Sequence, residues 1–196
     1  MFFVTRPTAD FLRLHRERLR DEPLTYSLQD EGKIPPGFTL NQFEIELGYG
    51  EAVFRAAMKA VKEWQMFPRQ MATLDPVQSP IAVGQIVCVL FRAGPLWTVN
   101  PCRVLRVIDN IQDAADVVRF GFVYGTLPGH VARGEERFLV EWNRVTDAVT
   151  YSIHAFSRPA HWLMWLGYPY FKSQQSKFRR LSGAAMHAAV RASIRT

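Results

Sequence analysis

Gly84-Gln-Ile-Val-Cys88-Val-Leu-Phe91-Arg-Ala-Gly94-Pro95-Leu-Trp97-Thr-Val-Asn-Pro-Cys102-Arg-Val-Leu-Arg-Val-Ile108 contains two runs rich in β-branched and aromatic residues, parted by Gly94-Pro95. It reads as two strands, near 84–91 and 97–108, joined by a tight turn. A link this short makes the two neighbours antiparallel. The same period-two pattern continues near 118–125, 136–144 and 148–156, with a further short strand near 70–75. The 109–116 loop, Pro128-Gly129 and Thr146-Asp147 punctuate it. Alternation of this kind is the signature of a half-buried sheet, here a meander.

The flanks are helical. Thr8 can cap a first helix running to about Arg20, with Asp10 in its first turn and Phe11, Leu12, His15 and Leu19 as its apolar stripe. Pro23 stops it, and residues 30–37 form a loop. Phe43, Ile45 and Leu47 alternate as another strand, and Gly48 and Gly50 lead into a helix over 51–64. Downstream, Ser157 and Pro159 fit a helix start, and Gly167 with Pro169 mark a break before the main helix, 169–192. At 100° per residue Phe171, Phe178, Leu181, Ala185, Ala188, Ala189 and Ala192 share one arc. Lys172, Lys177, Arg179, Arg180, Arg191 and Arg195 take the rest, and Gln174 falls inside the apolar arc.

These elements predict one α+β domain over 1–196. It divides into an N-terminal helical extension (1–23), a sheet with one inserted helix (38–156) and a C-terminal helix (157–196). The architecture expected is a curved antiparallel β-meander of about six or seven strands wrapped on the long C-terminal helix, helix-grip-like, with a cavity between them. A sheet-on-helix sandwich with a filled core fits the same pattern, and patterning does not separate the two.

Composition narrows the function classes. With 48% hydrophobic and 21% charged residues the chain is globular rather than disordered. Its 14 Phe, 6 Tyr and 5 Trp can wall an apolar pocket or fill a core. No apolar run approaches the ~18 residues of a spanning helix, and no basic segment precedes a long apolar run at the start, so a soluble cytoplasmic protein is expected. Cys88 and Cys102, the only cysteines, would face each other across the hairpin if their strands pair there. Reduced thiols are the expectation.

The net charge of +6 is concentrated at one end. The last acid is Asp147, and seven cations follow it. That leaves 17 basic residues against all 18 acids in the first 147. Trp162-Leu-Met-Trp165-Leu-Gly-Tyr168-Pro-Tyr170-Phe171, followed by Lys172, Lys177, Arg179 and Arg180, has the make-up of an interfacial membrane anchor. A solvated face on a docked helix is the plainer reading. Nucleic acid is not the expected partner, because no recognition module accompanies the charge.

Tyr124-Gly-Thr-Leu-Pro-Gly-His130-Val-Ala-Arg-Gly-Glu135-Glu136 brings an imidazole near two carboxylates. His130 with Glu135 or Glu136 could run acid–base chemistry, or the group could simply fix the loop. A metal centre is not expected, since no third ligand stands at a recognisable spacing. Arg158 could clamp Glu135, Glu136 or Glu141, or meet a ligand carboxylate, with His154 and His161 as helpers. Nucleophile elbows, phosphate loops and dinucleotide fingerprints are absent, so no cofactor is expected.

Several strings carry a resemblance. They are Leu47-Gly-Tyr-Gly50, Asn100-Pro-Cys102-Arg-Val-Leu, Phe120-Gly-Phe-Val-Tyr124 running on through Gly-Thr-Leu-Pro-Gly-His130, Gly134-Glu-Glu136-Arg-Phe138, Ala155-Phe-Ser-Arg-Pro-Ala160, and Gln174-Gln175 with Phe178. Across about residues 24–190 the chain resembles a bacterial and plant domain-of-unknown-function family that includes plastid outer-envelope proteins. The resemblance implies a START-like, helix-grip fold and, by analogy, an enclosed lipid or other apolar molecule. It implies no catalytic residues. The function expected is noncatalytic binding of a small apolar or lipid-like ligand between sheet and final helix, with Tyr124, His130, Glu135, Arg158 and Gln174 as polar contacts. The alternatives are a hydrolase- or cyclase-like enzyme using His130 with Glu135 or Glu136, and a peripheral binder of anionic membrane.

Overall fold

A computed structural model describes residues 1–27, 34–110, 116–160 and 168–195, the side chains of Ala93, Tyr168 and Phe171 excepted. The elements in chain order are β1 (Phe2–Phe3), α1 (Ala9–Arg18), β2 (Thr39–Tyr49), α2 (Glu51–Lys62), β3 (Ala72–Asp75), β4 (Ile86–Ala93), β5 (Leu96–Asp109), β6 (Val117–Thr126), β7 (Ala132–Asn143), β8 (Ala148–Pro159) and α3 (Tyr168–Ile194). His161 and the Trp162-to-Leu166 stretch proposed as a membrane anchor lie outside the described residues.

The strands form one antiparallel sheet in the order β2-β8-β7-β6-β5-β4-β3, with β1 beside β5. The expected meander is β4 to β8, in sequence order because each link is a short turn or loop. The chain's first long strand, β2, closes onto its last, β8, with a register shift between Glu46 and Gly48. A second shift lies between Val104 and Arg106. Such bulges sharpen twist and let the sheet wrap on the helices. The count exceeds expectation by β1, where Phe2 and Phe3 pair with Thr98 and Trp97.

Period two divides the side chains between two faces. One face carries Val87, Val89, Val104, Phe122, Phe138, Tyr151 and Ile153 and is covered by α2 and α3. On the other, Leu12 of α1 packs with Cys88, Leu90 and Val99, and Leu19 with Ile86 and Leu127. Helix α1 is capped as its sequence suggests: Thr8 Oγ1 accepts from Phe11 N–H at 3.2 Å. Just past its other end Arg103 donates to the carbonyls of Leu19 and Arg20 at 2.8 and 2.7 Å, tying the helix end to β5.

Three expectations are corrected here. Cys88 pairs with Pro101, and Cys102 with Val87. The thiols are therefore one position out of step and point to opposite faces, each free and buried. Ser157 and Pro159 do not start a helix; they extend β8, with Ser157 flanked by Thr39 and Gly134. Pairing on both sides outweighs a local capping signal, and Pro159 at the strand's end loses no ladder bond.

The third correction is the phase of α3. Its buried line is Phe178, Ser182, Gly183, Met186 and Val190, whereas Ala188 and Ala192 are exposed. Small residues, not the largest run of apolar letters, set the contact. A Cβ on Gly183 would come within 2.9 Å of Phe43 and Ile45 side-chain atoms, so the helix lies close on β2. Ser182 Oγ shares a buried 2.8 Å hydrogen bond with Tyr151 Oη. Tyr151→Phe should destabilise the fold by about 1–3 kcal/mol, because the serine hydroxyl is left buried and unpaired. Adding Ser182→Ala should restore much of that loss in chemical denaturation; fully additive losses would refute the account.

Under the C-terminal half of α3 the interior is filled. Phe54, Ala57, Ala60 and Val61 of α2 are buried there, followed by Trp64, Met66 and Phe67. Trp64 Nε1–H donates to the Ser79 carbonyl at 2.7 Å and so carries its polar edge into the core satisfied. Among the described residues no helix is long and apolar enough to cross a membrane.

Candidate functional site: a pocket beneath the first half of the final helix

Because α2 fills only one end of the sheet, the ends of β4–β8 facing the start of α3 enclose open space. The pocket is about 550 Å³ and mainly apolar. Met71, Val89, Phe91, Ala155 and Phe178 line it, and the exposed Phe2, Arg92 and Tyr170 mark its mouth. Phe178 stands 5.8 Å from Phe91 and 5.6 Å from Phe67 (ring centroids). Through Phe67, Phe138 and Phe122 it joins a run of aromatic contacts at 5.3–5.6 Å, so one wall is rigid.

The polar groups converge from opposite sides. Tyr124 on β6 and Glu136 on β7 are directly opposed in the ladder. The tyrosine hydroxyl donates to Glu136 Oε2 at 2.6 Å. Burial raises the Glu136 pKa, while the Tyr124 hydrogen bond and the Arg179 charge oppose the rise. Burial likewise raises the Tyr124 pKa and lowers that of Arg179. Arg179 thus borders the pocket and acts on Glu136, a correction to its expected place on the outer cationic face. Following Phe178, it lies at the margin of the buried line, where its long side chain reaches inward toward a carboxylate. Lys172, Lys177 and Arg180 are exposed.

His130 sits on the turn between β6 and β7, closed by His130 N–H to the Leu127 carbonyl at 3.2 Å. Asn100 ties this turn to the sheet: its Oδ1 accepts from Val131 N–H at 3.3 Å, and its Nδ2 donates to the Val89 carbonyl at 3.1 Å. His130 Nδ1 accepts from Ala132 N–H at 2.9 Å. Burial, with help from the Met1 amino group, pushes its pKa down to about 3, and a bond accepted at Nδ1 likewise suits the neutral ring. The ring is therefore neutral at pH 7, with its proton on Nε2.

A histidine whose pKa falls on folding adds stability that is full above its unfolded value of 6.5 and is lost as pH drops from there toward 3. Wild-type denaturation midpoints should decline between pH 7 and 4, and His130→Gln should flatten that decline. Equal slopes in both proteins would contradict this assignment.

The remaining sequence candidates are split between the faces. Gln174 lines the pocket, and its neighbour Gln175 donates to Ser157 Oγ at 3.4 Å. Glu135 borders the pocket, but its carboxylate accepts from Tyr26 Oη at 2.9 Å. Successive strand residues point to opposite faces, so the Glu135 carboxylate turns to Tyr26 while that of Glu136 turns to Tyr124. Arg158 is not in the pocket and clamps none of the three glutamates. Its guanidinium lies 4.8 Å over the Phe38 ring, because Ser157 rather than Arg158 faces inward on β8. Glu141 is held instead by Arg119 at 2.8 Å. His154 lies near Gln42 across β2, 3.4 Å between side-chain nitrogens, outside the pocket. Asn100 went unassigned as a site residue, and Arg179 was assigned to the outer cationic surface rather than to the pocket. Asn100 was detectable as the one amide amid the apolar positions of its strand.

Among the described residues no group of three or more His, Cys, Asp or Glu is placed to hold a metal ion. A family model described as "Domain of unknown function (DUF1990)" matches residues 23–185. A "UPF0548 protein" of Dictyostelium discoideum is 33% identical over 196 residues, covering 91% of this chain and 90% of that one. Another, of Arabidopsis thaliana, is 34% identical over 167 residues, with 85% and 80% covered. Among solved structures, that of Ara h 8.0201 superposes with a TM-score of 0.50 at 10% identity, covering 80% of this chain and 99% of that one. At that identity the likeness concerns the fold alone, an open sheet gripping a C-terminal helix. By the span of the family match and the identity of these relatives, the chain belongs to the DUF1990 family.

Proposed function

We propose that the protein is a noncatalytic binder of a small apolar or lipid-like molecule, held between the sheet and the first half of α3. The observation that carries this reading is the mainly apolar space of about 550 Å³ with a few polar groups aimed into it. Ligand sites typically measure ~300–1,000 Å³ and combine an apolar lining with a few fixed polar contacts. Filling such a space with an apolar body removes surface from water on both partners.

Acid–base catalysis is supported less well by the same residues. His130 and Glu136 each have separate partners, Ala132 N–H and Tyr124 Oη. An imidazole with a pKa near 3 is also a weak base at neutral pH. Exposed Lys172, Lys177 and Arg180 support a secondary role, peripheral contact with anionic membrane.

Titration with Nile red, a neutral apolar dye, tests the main reading. Saturable enhancement at one dye per chain, reversed by dodecanol, is expected. Emission that rises without saturation would remove the proposal.

A further inference from the structure

Four acceptors around the pocket already hold a hydrogen bond, whereas four donor groups among the described residues do not. Glu136 accepts from Tyr124, and Glu135 from Tyr26. Asn100 Oδ1 is taken by Val131 N–H. Thr126 Oγ1 accepts from Gly134 N–H at 3.0 Å and meets Thr25 Oγ1 at 2.6 Å. By contrast, Arg179, Arg92 and the Gln174 amide line the space without a hydrogen-bond partner among the described residues. The fourth group is His130. With Nδ1 accepting a backbone N–H, its proton is on Nε2, a further donor without a partner among those residues.

We infer that the ligand of this pocket is an amphiphile with an oxyanion head, received by Arg179 together with His130 Nε2–H and Gln174, its apolar body lying along Phe91 and Phe178. A guanidinium offers a planar fork that matches a carboxylate or phosphate bidentately, and the match is strongest where water is scarce. The one inward carboxylate, Glu136, is bonded to Tyr124 and faces Arg179. A cationic head would meet two guanidiniums and a carboxylate with one oxygen already bonded to Tyr124. This inference rests on the cavity reading above and adds the chemistry of the head.

Four twelve-carbon probes, used below their micelle concentrations at pH 7.5, separate the possibilities by displacement of Nile red: dodecanoate, dodecyl phosphate, dodecanol and dodecylamine. One of the two acids should bind at least tenfold tighter than dodecanol, and the stronger identifies the oxyanion. Arg179→Gln should erase most of that advantage while leaving dodecanol unchanged, and Arg179→Lys should keep part of it. If either variant fails to fold, the wild-type ranking with His130→Gln gives the same readout. Dodecanol or dodecylamine binding as tightly as the acids would overturn the head assignment while leaving the cavity intact. Failure of Nile red and all four probes would overturn the cavity reading itself.

Discussion

Ala155→Trp abolishes Nile red binding while the melting temperature stays level or rises. Ala155 stands on β8 between Asn41 and Glu136, on the pocket-lining face. An indole in place of its methyl group fills space that a ligand would occupy. The added ring also buries apolar surface at roughly 25 cal/mol per Å², so folding gains what binding loses. A hundred-fold loss of affinity, about 2.7 kcal/mol, is expected. A variant that keeps wild-type affinity would mean that the dye binds elsewhere. A variant that loses both binding and stability would mean that the pocket is smaller than described.

Gly134→Ala should be the most damaging single-methyl change in the sheet, destabilising by roughly 3 kcal/mol or more. Two costs combine. Gly134 has φ +144°, which side-chain-bearing residues rarely adopt. Its Cβ would also stand 1.9 Å from the Phe156 carbonyl oxygen, a backbone atom that cannot move aside without opening the β7–β8 ladder. Gly183→Ala is the comparison: its Cβ meets only side-chain atoms of Phe43 and Ile45, which can shift. Equilibrium urea denaturation should rank Gly134→Ala well below Gly183→Ala. Equal losses would show that side-chain crowding under α3, rather than the ladder geometry of β7, governs these positions.

The strands were legible because period two and turn residues are local signals, and Thr8 marked the start of α1 for the same reason. The faces were harder to read. Taking the link between strands 118–125 and 136–144 as a loop left Glu135 free to sit beside His130 and Glu136. In the structure β7 begins at Ala132 and is paired on both sides from Glu135 on, and alternation sends the two carboxylates apart. Arg158 was misplaced by the same mechanism once residues 157–159 were read as a helix start. A one-residue register decides whether Cys88 and Cys102 meet, and no local pattern encodes it. On α3 the apolar letters gave a helix but the wrong phase, because Ser182 and Gly183 make the close contact. The pocket itself arises from six strands and one helix, and from α2 stopping short of it.

Native mass spectrometry of the protein, purified without detergent, tests the central claim most directly. The account predicts a wild-type population heavier than the bare chain by one small molecule, released on unfolding and absent from Ala155→Trp. The released species should be an apolar acid. A wild-type protein carrying nothing, and equally unoccupied after incubation with dodecanoate and dodecanol, would contradict it.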